Sequence, residues 1–404
     1  MKQTGALAVI LALALALAHG GCRRAPPPRL TERTFALGNG LEVELVAGPC
    51  GDGAEVLLVH EVGADHDPPA RSGLTRVLAA ATGREAATDH LRRRRAASAD
   101  GLPAVLDGLA AELGGPGPAV AEVERARAEA LAALAAARGG DATATAMAFA
   151  AESVRPSPGE GWRGGVAGEL EAVTAAEVDA FARAHLRAAG ARLVVVGRFD
   201  PAALQARIEA AFAALPAGAA APSRPSVPAT VTGTLVMGDA PAVVAIAVPA
   251  PAPTAPAFPA FLVHAARATG AGGDELAVTY DPLVEPALLF VTAAVAPGER
   301  PEAAATRVRA ALATILARPL APADLAAARA RYRALLGGGG RALEACRADR
   351  PGFALGRARR AQLGLDGAAL GRALDATTAA QLADAAALFA AERTAAVVAG
   401  GAIR

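Results

Sequence analysis

Histidine and carboxylate side chains cluster at one place in the sequence. His60, Asp65, His66 and Asp67 lie within eight residues of each other. Two histidines that bracket a turn, together with a carboxylate, can bind a metal ion. The same residues are also typical of scattered, solvated loop side chains. The sequence leaves both interpretations open.

Three further segments carry residue types that could do chemistry. His90 shortly precedes the basic run Arg92–Arg95, which is typical of a solvated helix or loop face. The alternative is a contact with an acidic partner or with lipid headgroups. His185 lies beside apolar residues on a predicted helix, and we interpret it as structural. Gly337–Gly340 has neither the lysine nor the Ser/Thr of a phosphate-binding loop, which indicates a flexible hinge.

Two of the three cysteines lie in the body of the chain. Cys50 and Cys346 are almost 300 residues apart, in different predicted domains, and neither belongs to a CxxC pair. An oxidising compartment would permit a disulfide. We nevertheless predict two unrelated free thiols, and no cysteine-based metal or redox chemistry.

The N-terminus has the organisation of an export signal. Lys2 is followed by the apolar run Ala6–Ala18, which is too short to span a membrane. Cys22 directly follows two glycines and resembles the acylated cysteine of a bacterial lipoprotein, although His19 stands where such sites usually have Leu. We predict an exported lipoprotein on the periplasmic face of a bacterial membrane, with Cys22 as the lipidation site. Plain secretion and an uncleaved anchor remain alternatives.

The amino-acid composition and net charge argue against nucleic acid as a partner. The 404 residues are 53% hydrophobic, and the net charge is only +1. Nothing in the sequence predicts a broad basic face, so nucleic acid is not an expected partner.

Apolar periodicity predicts the same order of elements in each half of the chain. Thr34–Val46 reads as two strands around a Gly-Asn-Gly turn, and Glu55–Val62 as a further strand. Helices follow, and RLVVVG at Arg192–Gly197 closes the first half. The second half ends on the similar strand Thr394–Ala399. This repetition indicates a weak internal duplication.

The predicted fold class is α+β, with two related domains that each have an antiparallel-rich sheet covered by helices. An Ala/Pro/Ser-rich stretch without periodicity is interpreted as the linker between them. The predicted segments are the signal 1–22, the tether 23–30, the N-terminal domain 31–216, the linker 217–229 and the C-terminal domain 230–404.

The order of several segments resembles one family, the pitrilysin/insulinase-like (M16) zinc metallopeptidases. LGNGLEV at Leu37–Val43 is similar to the hairpin that opens the family's fold. Val62–Leu74 is similar to the stretch before its metal-binding helix, and Leu193–Pro216 to the strand and helix that close its first domain. Ala373–Val398 is similar to the matching C-terminal passage. The resemblance covers most of the chain after residue 30 and implies the α+β fold described above.

The motif that carries the family's chemistry is missing. Active members carry H-x-x-E-H on the metal-binding helix that follows the stretch similar to Val62–Leu74. The two histidines of this motif bind zinc, and the glutamate activates water. The resemblance places this motif on Arg76, Ala79 and Ala80, and the whole sequence contains no H-x-x-E-H or H-E-x-x-H. The family's third ligand, a glutamate, would fall near Glu122–Glu129. We therefore predict no metal, no cofactor and no M16-type catalysis.

A second site of the family concerns its non-catalytic subunits, which often carry an Arg/Tyr pair that binds substrate. Tyr280 is a candidate for the tyrosine, but Gly272–Glu275 stands where the arginine is expected. The resemblance implies a non-catalytic subunit that pairs with an active M16 peptidase, or a scaffold that binds peptides or unfolded protein. A peptidase with an unrecognised site and a purely structural envelope lipoprotein are the alternatives.

Overall fold

The computed structural model describes residues 29–140, 142–154, 167–218, 233–237, 241–271, 276–285, 287–333, 335–336 and 342–400. Its strands are β1 (Thr31–Ala36), β2 (Glu42–Ala47), β3 (Ala54–His60), β4 (Glu85–Ala86), β5 (Leu91–Ala97), β6 (Ala191–Gly197), β7 (Gly233–Met237), β8 (Pro241–Pro249), β9 (Ala277–Tyr280), β10 (Leu288–Ala294) and β11 (Ala395–Gly400). The helices of the first half are α1 (Leu74–Ala81), α2 (Leu102–Gly114), α3 (Val120–Gly140), α4 (Ala142–Val154), α5 (Ala167–Ala172), α6 (Ala175–His185) and α7 (Pro201–Phe212). Those of the second half are α8 (Phe258–Ala271), α9 (Pro301–Leu316), α10 (Pro322–Arg331), α11 (Ala342–Ala348), α12 (Arg350–Gln362), α13 (Gly367–Asp375) and α14 (Ala379–Ala386).

The two sheets share a topology. The first has the order β1-β2-β6-β3-β5-β4, and the second has the order β7-β11-β8-β10-β9. In each, the closing strand (β6 or β11) lies between a parallel neighbour and an antiparallel one. If β1 is set aside, the strands of the two sheets correspond one to one. This shared insertion of the last strand supports the internal duplication that the element order predicted.

Local sequence explains the hairpin that starts the first sheet. Gly40 has φ of +89°, a conformation that costs little only for glycine, and β1 and β2 pair antiparallel across this turn. Asn39 fixes the turn to the end of α7, because its side-chain amide donates to the carbonyl oxygens of Phe212 (2.7 Å) and Leu215 (3.1 Å). The predicted pair of strands is confirmed.

Each sheet buries one face under helices of its own half. In the first sheet, Leu45, Val56 and Leu193 pack against apolar residues of α2 and α7. In the second sheet, residues of β8, β10 and β11 pack against α8 and α9. A mixed α+β fold is thus confirmed.

The opposite faces are covered by helices from the other half. α12 packs on β3 and β6 of the first sheet, where Phe353, Ala354 and Ala358 are buried. In return, α4 packs on β8 and β11 of the second sheet through Ala146 and Ala150. The predicted boundary near residues 217–229 therefore separates the strands of the two sheets but not their helices.

The prediction of two free thiols is wrong. Cys50 and Cys346 form a disulfide with their Cα atoms 5.5 Å apart, and both residues are buried. The reason is the exchange of helices, because α11 and α12 bring Cys346 onto the first sheet although it is remote in sequence. Arg347 and Arg350 reinforce this contact by donating to the carbonyl oxygens of Pro49 (2.9 Å) and Asp52 (2.8 Å).

Other differences from the sequence-based elements are local. Thr234–Val248, predicted as one strand, is divided into β7 and β8, while α4 and β9 were not predicted. No helix among the described residues is long and apolar enough to cross a membrane. The predicted signal with Cys22, most of the tether and of the linker, Gly272–Glu275 and the glycines Gly337–Gly340 lie outside the described residues.

Candidate functional site

α1 is the helix on which the resemblance places the catalytic motif, and a buried carboxylate positions its start. Asp67 is 3% exposed and accepts hydrogen bonds from the backbone N–H groups of Gly73 (2.6 Å) and Thr75 (2.8 Å). These N–H groups belong to the unpaired first turn of the helix, so Asp67 caps it from a distance. Burial raises the pKa of Asp67 to about 7, although the hydrogen bonds from Thr75, Gly73 and Leu74 oppose the rise.

We expect this cap to make stability depend on pH. Because the pKa of Asp67 is higher in the folded protein (about 7) than its ordinary value of 3.8, folding favours the protonated form. The contribution of protonated Asp67 to the free energy of unfolding is therefore complete below pH 3.8. It is lost as the pH rises to about 7, by an amount on the order of 4 kcal/mol. Asp67→Asn cannot ionise and escapes this loss. Urea unfolding at about pH 4.5 and about pH 8 should show the wild type losing its advantage over Asp67→Asn at the higher pH. If the difference in unfolding free energy between the wild type and Asp67→Asn were the same at both pH values, the raised pKa of Asp67 would be contradicted.

The three motif positions on α1 offer no metal ligand and no general base. Arg76 is half-buried, and it makes no hydrogen bond or ion pair with the described residues. Ala79 is 3% exposed and Ala80 is half-buried, and both end in a methyl group. A guanidinium is permanently charged and has no lone pair to give a metal. Zinc therefore does not fit these residues.

The facing helix α3 supplies no replacement. Its buried stripe consists of Val123, Ala126, Ala130 and Leu134, which pack in one cluster with Leu74, Val77 and Leu78 of α1. The three glutamates near the expected third ligand, Glu122, Glu124 and Glu129, are all exposed. They bind the backbone N–H of Ala119 and the side chains of Arg127 and Arg125, respectively. The interface where the resemblance places a metal site is here an apolar helix contact.

Comparison with family models matches a part of the chain that begins after α1 and α3. Residues 172–332 match the family model described as the Peptidase M16 inactive domain. Over these residues the chain is similar to the M16 peptidase family. The resemblance read from the sequence is therefore confirmed. No curated protein matches the chain.

Solved structures share the M16 fold over nearly the whole chain. A protease from Helicobacter pylori has a TM-score of 0.74 at 15% identity, covering 91% of this chain and 99% of its own. A peptidase M16 inactive domain from Pseudomonas fluorescens has a TM-score of 0.71 at 16% identity, with coverages of 92% and 98%. A chain of complex III₂ from Candida albicans has a TM-score of 0.70 at 13% identity, with coverages of 92% and 96%. At these identities the matches establish the fold alone.

The histidine and carboxylate cluster before α1 is buried rather than solvated. His60 is 1% exposed and neither ring nitrogen has a hydrogen-bond partner among the described residues. Burial, aided by the charge of Arg84, lowers the pKa of His60 to about 3, so the ring is neutral. His66 Nδ1 accepts from the backbone N–H of Gly63 (3.0 Å). The described residues contain no group of three or more His, Cys, Asp or Glu side chains arranged to hold a metal. Asp67 and His66 instead shape the turn before α1.

The basic run is a strand, so its prediction as a solvated helix or loop is wrong. β5 pairs with β3, and four consecutive arginines hide the alternation that would have identified it. Because side chains alternate along a strand, the arginines reach both faces of the sheet. Each pairs with a carboxylate of this chain: Arg92 with Glu85 (2.8 Å), Arg93 with Glu112 (2.9 Å), Arg94 with Glu55 (3.6 Å) and Arg95 with Glu112 (3.8 Å). The run is thus largely neutralised within the protein.

Sequence reasoning missed a buried ionic contact between the two halves of the fold. Asp89 is 0% exposed, and its Oδ2 accepts from Arg359 of α12 and from the backbone N–H of Glu285 (2.7 Å). Its Oδ1 lies 2.7 Å from His90 Nδ1. Burial alone would raise the pKa of Asp89, but the hydrogen bond from His90 and the charge of Arg359 outweigh it and lower the pKa. Neither Asp89 nor Arg359 belongs to a motif, so only the fold brings them together.

Tyr280, the candidate for substrate binding, lies at the end of β9 inside the second core. It is 8% exposed, and its ring contacts Phe261 and Tyr332 at centroid distances of 5.4 and 6.0 Å. Its hydroxyl is buried, and burial raises the pKa well above its ordinary value. In this conformation the ring packs the core, and the substrate role stays a prediction. His185, interpreted as structural, packs its ring 4.6 Å from that of Phe181.

Proposed function

We propose that this M16 chain is a non-catalytic subunit of the bacterial cell envelope, which pairs with an active M16 peptidase or binds peptides as a scaffold. One observation carries the proposal. α1 and α3 keep their place in the fold, but their contact consists of apolar side chains where active members need ligands and a base. The frame of a peptidase is retained while its reaction chemistry is lost.

The lengths of two similar proteins support the proposal that this chain pairs with a second chain. This chain covers 45% of the pitrilysin chain, with a TM-score of 0.65. It likewise covers 48% of the chain of the ferredoxin protease FusC, whose structure contains ferredoxin, with a TM-score of 0.62. A second chain of similar size would supply the other half of such an assembly, including the zinc site that this chain lacks.

An exposed sheet edge supports peptide binding. β4 has two residues and pairs only with Leu91 and Arg92, so the outer edge of β5 from Arg93 to Ala97 faces no other described strand. Unpaired strand edges accept extended peptides by adding a strand to the sheet.

The proposed location in the cell envelope rests on two features, the disulfide between Cys50 and Cys346 and the predicted lipidation site Cys22. Disulfides such as Cys50–Cys346 persist in oxidising compartments, which include the bacterial periplasm. Gly21-Cys22, at the end of the predicted signal, would provide the lipid anchor. Labelling of the full-length protein with a clickable fatty acid in cells, compared with Cys22→Ser, tests this anchor.

The proposed function predicts no activity alone and altered activity in a mixture. The purified mature chain should contain no stoichiometric zinc and should not cleave peptides. Mixed with an intact M16 peptidase from the same organism, it should raise or redirect cleavage of a peptide library. The control is the same mixture with the partner's catalytic glutamate changed to glutamine, which should be inactive. Zinc and cleavage by the chain alone would overturn the proposal, and no effect on either cleavage or peptide binding would leave only a structural role.

A further inference from the structure

A groove of about 520 Å³ lies in the second half of the chain, between α9 and α14. Both helices pack against α8 but leave a gap between them. The floor of the groove is formed by five buried apolar residues: Ile246, Leu312, Leu316, Leu382 and Phe389. Exposed alanines such as Ala313 and Ala383 form its rims. Its volume lies within the range of about 300–1,000 Å³ that is usual for small-ligand sites.

The polar side chains of the lining are two arginines, and no acidic residue lines the groove. They are Arg309 and Arg318. Arg318 is 51% exposed and lies 3.6 Å from Asp324, which is a long ion pair. Asp324 already accepts from Arg267 (2.7 Å) and from the backbone N–H of Ala321 (2.9 Å). Arg318 can therefore turn to another anion without leaving Asp324 unpaired.

The walls of the groove decide between ligands. Most of the lining belongs to α9 and α14, whose backbone groups are satisfied within the helices, so these walls offer an extended peptide few hydrogen bonds for its amides. A hydrocarbon chain has no such groups to satisfy. We propose that the groove binds one long-chain fatty acid, with its carboxylate at Arg318 and its hydrocarbon chain on the apolar floor. This site does not depend on the proposed peptide-binding role.

A series of saturated fatty acids tests the proposal. Each is titrated as a monomer against the full protein, by displacement of a fluorescent fatty acid. The dissociation constant should fall roughly tenfold for every two added methylenes, until the groove is filled, and then stay constant. Hexadecanoate should bind more tightly than its methyl ester, and Arg318→Gln should reduce that difference.

Blocking variants separate the groove from the rest of the surface. Ala313→Trp and Ala383→Trp place a large side chain on the rims, where both alanines are exposed, so we expect the fold to accommodate the change. Each should weaken hexadecanoate binding at least tenfold. Ala303→Trp, also exposed on α9 but outside the groove, is the matched control and should bind like the wild type. Unaltered binding in both rim variants, no dependence on chain length, or binding only of phospholipid vesicles or of an amphipathic helical peptide would overturn the proposal.

Discussion

Arg359→Met is expected to lower the free energy of unfolding by about 3–5 kcal/mol. The substitution leaves Asp89 fully buried without its cationic partner, and an uncompensated buried charge is among the most destabilising changes in proteins. It also removes the hydrogen bonds that Arg359 donates to Leu283 O and Gln362 Oε1, both at 2.8 Å. Urea unfolding monitored by circular dichroism measures the loss.

A matched variant shows whether burial is the cause. Arg329→Met breaks a pair with Asp375 in which both side chains are about half exposed. Exposed pairs contribute about 0–1 kcal/mol, so this variant should unfold almost like the wild type. Losses of equal size in the two variants would contradict a special role for Asp89 and Arg359.

Removal of the disulfide should have an effect of similar size. Cys50→Ala with Cys346→Ala opens a loop of 296 residues, and we expect a loss of about 3–5 kcal/mol because the unfolded chain regains conformational freedom. Because both cysteines are buried, a reductant should reach the bond only when the protein unfolds. The wild type in mild reductant should therefore keep its stability until denaturant is added.

Thiol titration provides the direct check. The chain without residues 1–22, unfolded under non-reducing conditions, should show no free thiol, because its two cysteines are paired. Two reactive thiols in protein purified from the periplasm would contradict the disulfide. The single variant Cys346→Ala is the control and should show one.

Local signals in the sequence predicted much of the fold. The capping box of α6 is present, since Thr174 Oγ1 accepts from Glu177 N (3.3 Å) and Glu177 Oε2 accepts from Thr174 N (2.8 Å). Asp200 caps α7 through the N–H groups of Ala202 and Ala203. Such contacts span two or three residues, so the residue types alone indicate them.

Contacts between distant residues could not be predicted in the same way. Neither the pairing of Cys50 with Cys346 nor that of Asp89 with Arg359 leaves a local pattern, because each depends on where α11 and α12 pack. β5 was missed because its charged side chains are neutralised by partners that only the sheet brings close. The missing motif on α1 could be read from the sequence, whereas the apolar contact with α3 required the structure.

The exchange of helices between the sheets determines when the protein can fold during synthesis. One face of the first sheet, which includes Val46, Leu57 and Val194, stays uncovered until α12 (Arg350–Gln362) has been made. α4, made much earlier, has no sheet to pack on until β8 and β11 exist, and β11 is the last strand. The cluster between α12 and the first sheet and the cluster between α4 and the second sheet therefore cannot form on a short nascent chain. Contacts of such long sequence separation also form slowly. The fold can therefore be completed only when nearly the full length of the polypeptide is available, although the core between the first sheet, α2 and α7 uses residues of the first half alone.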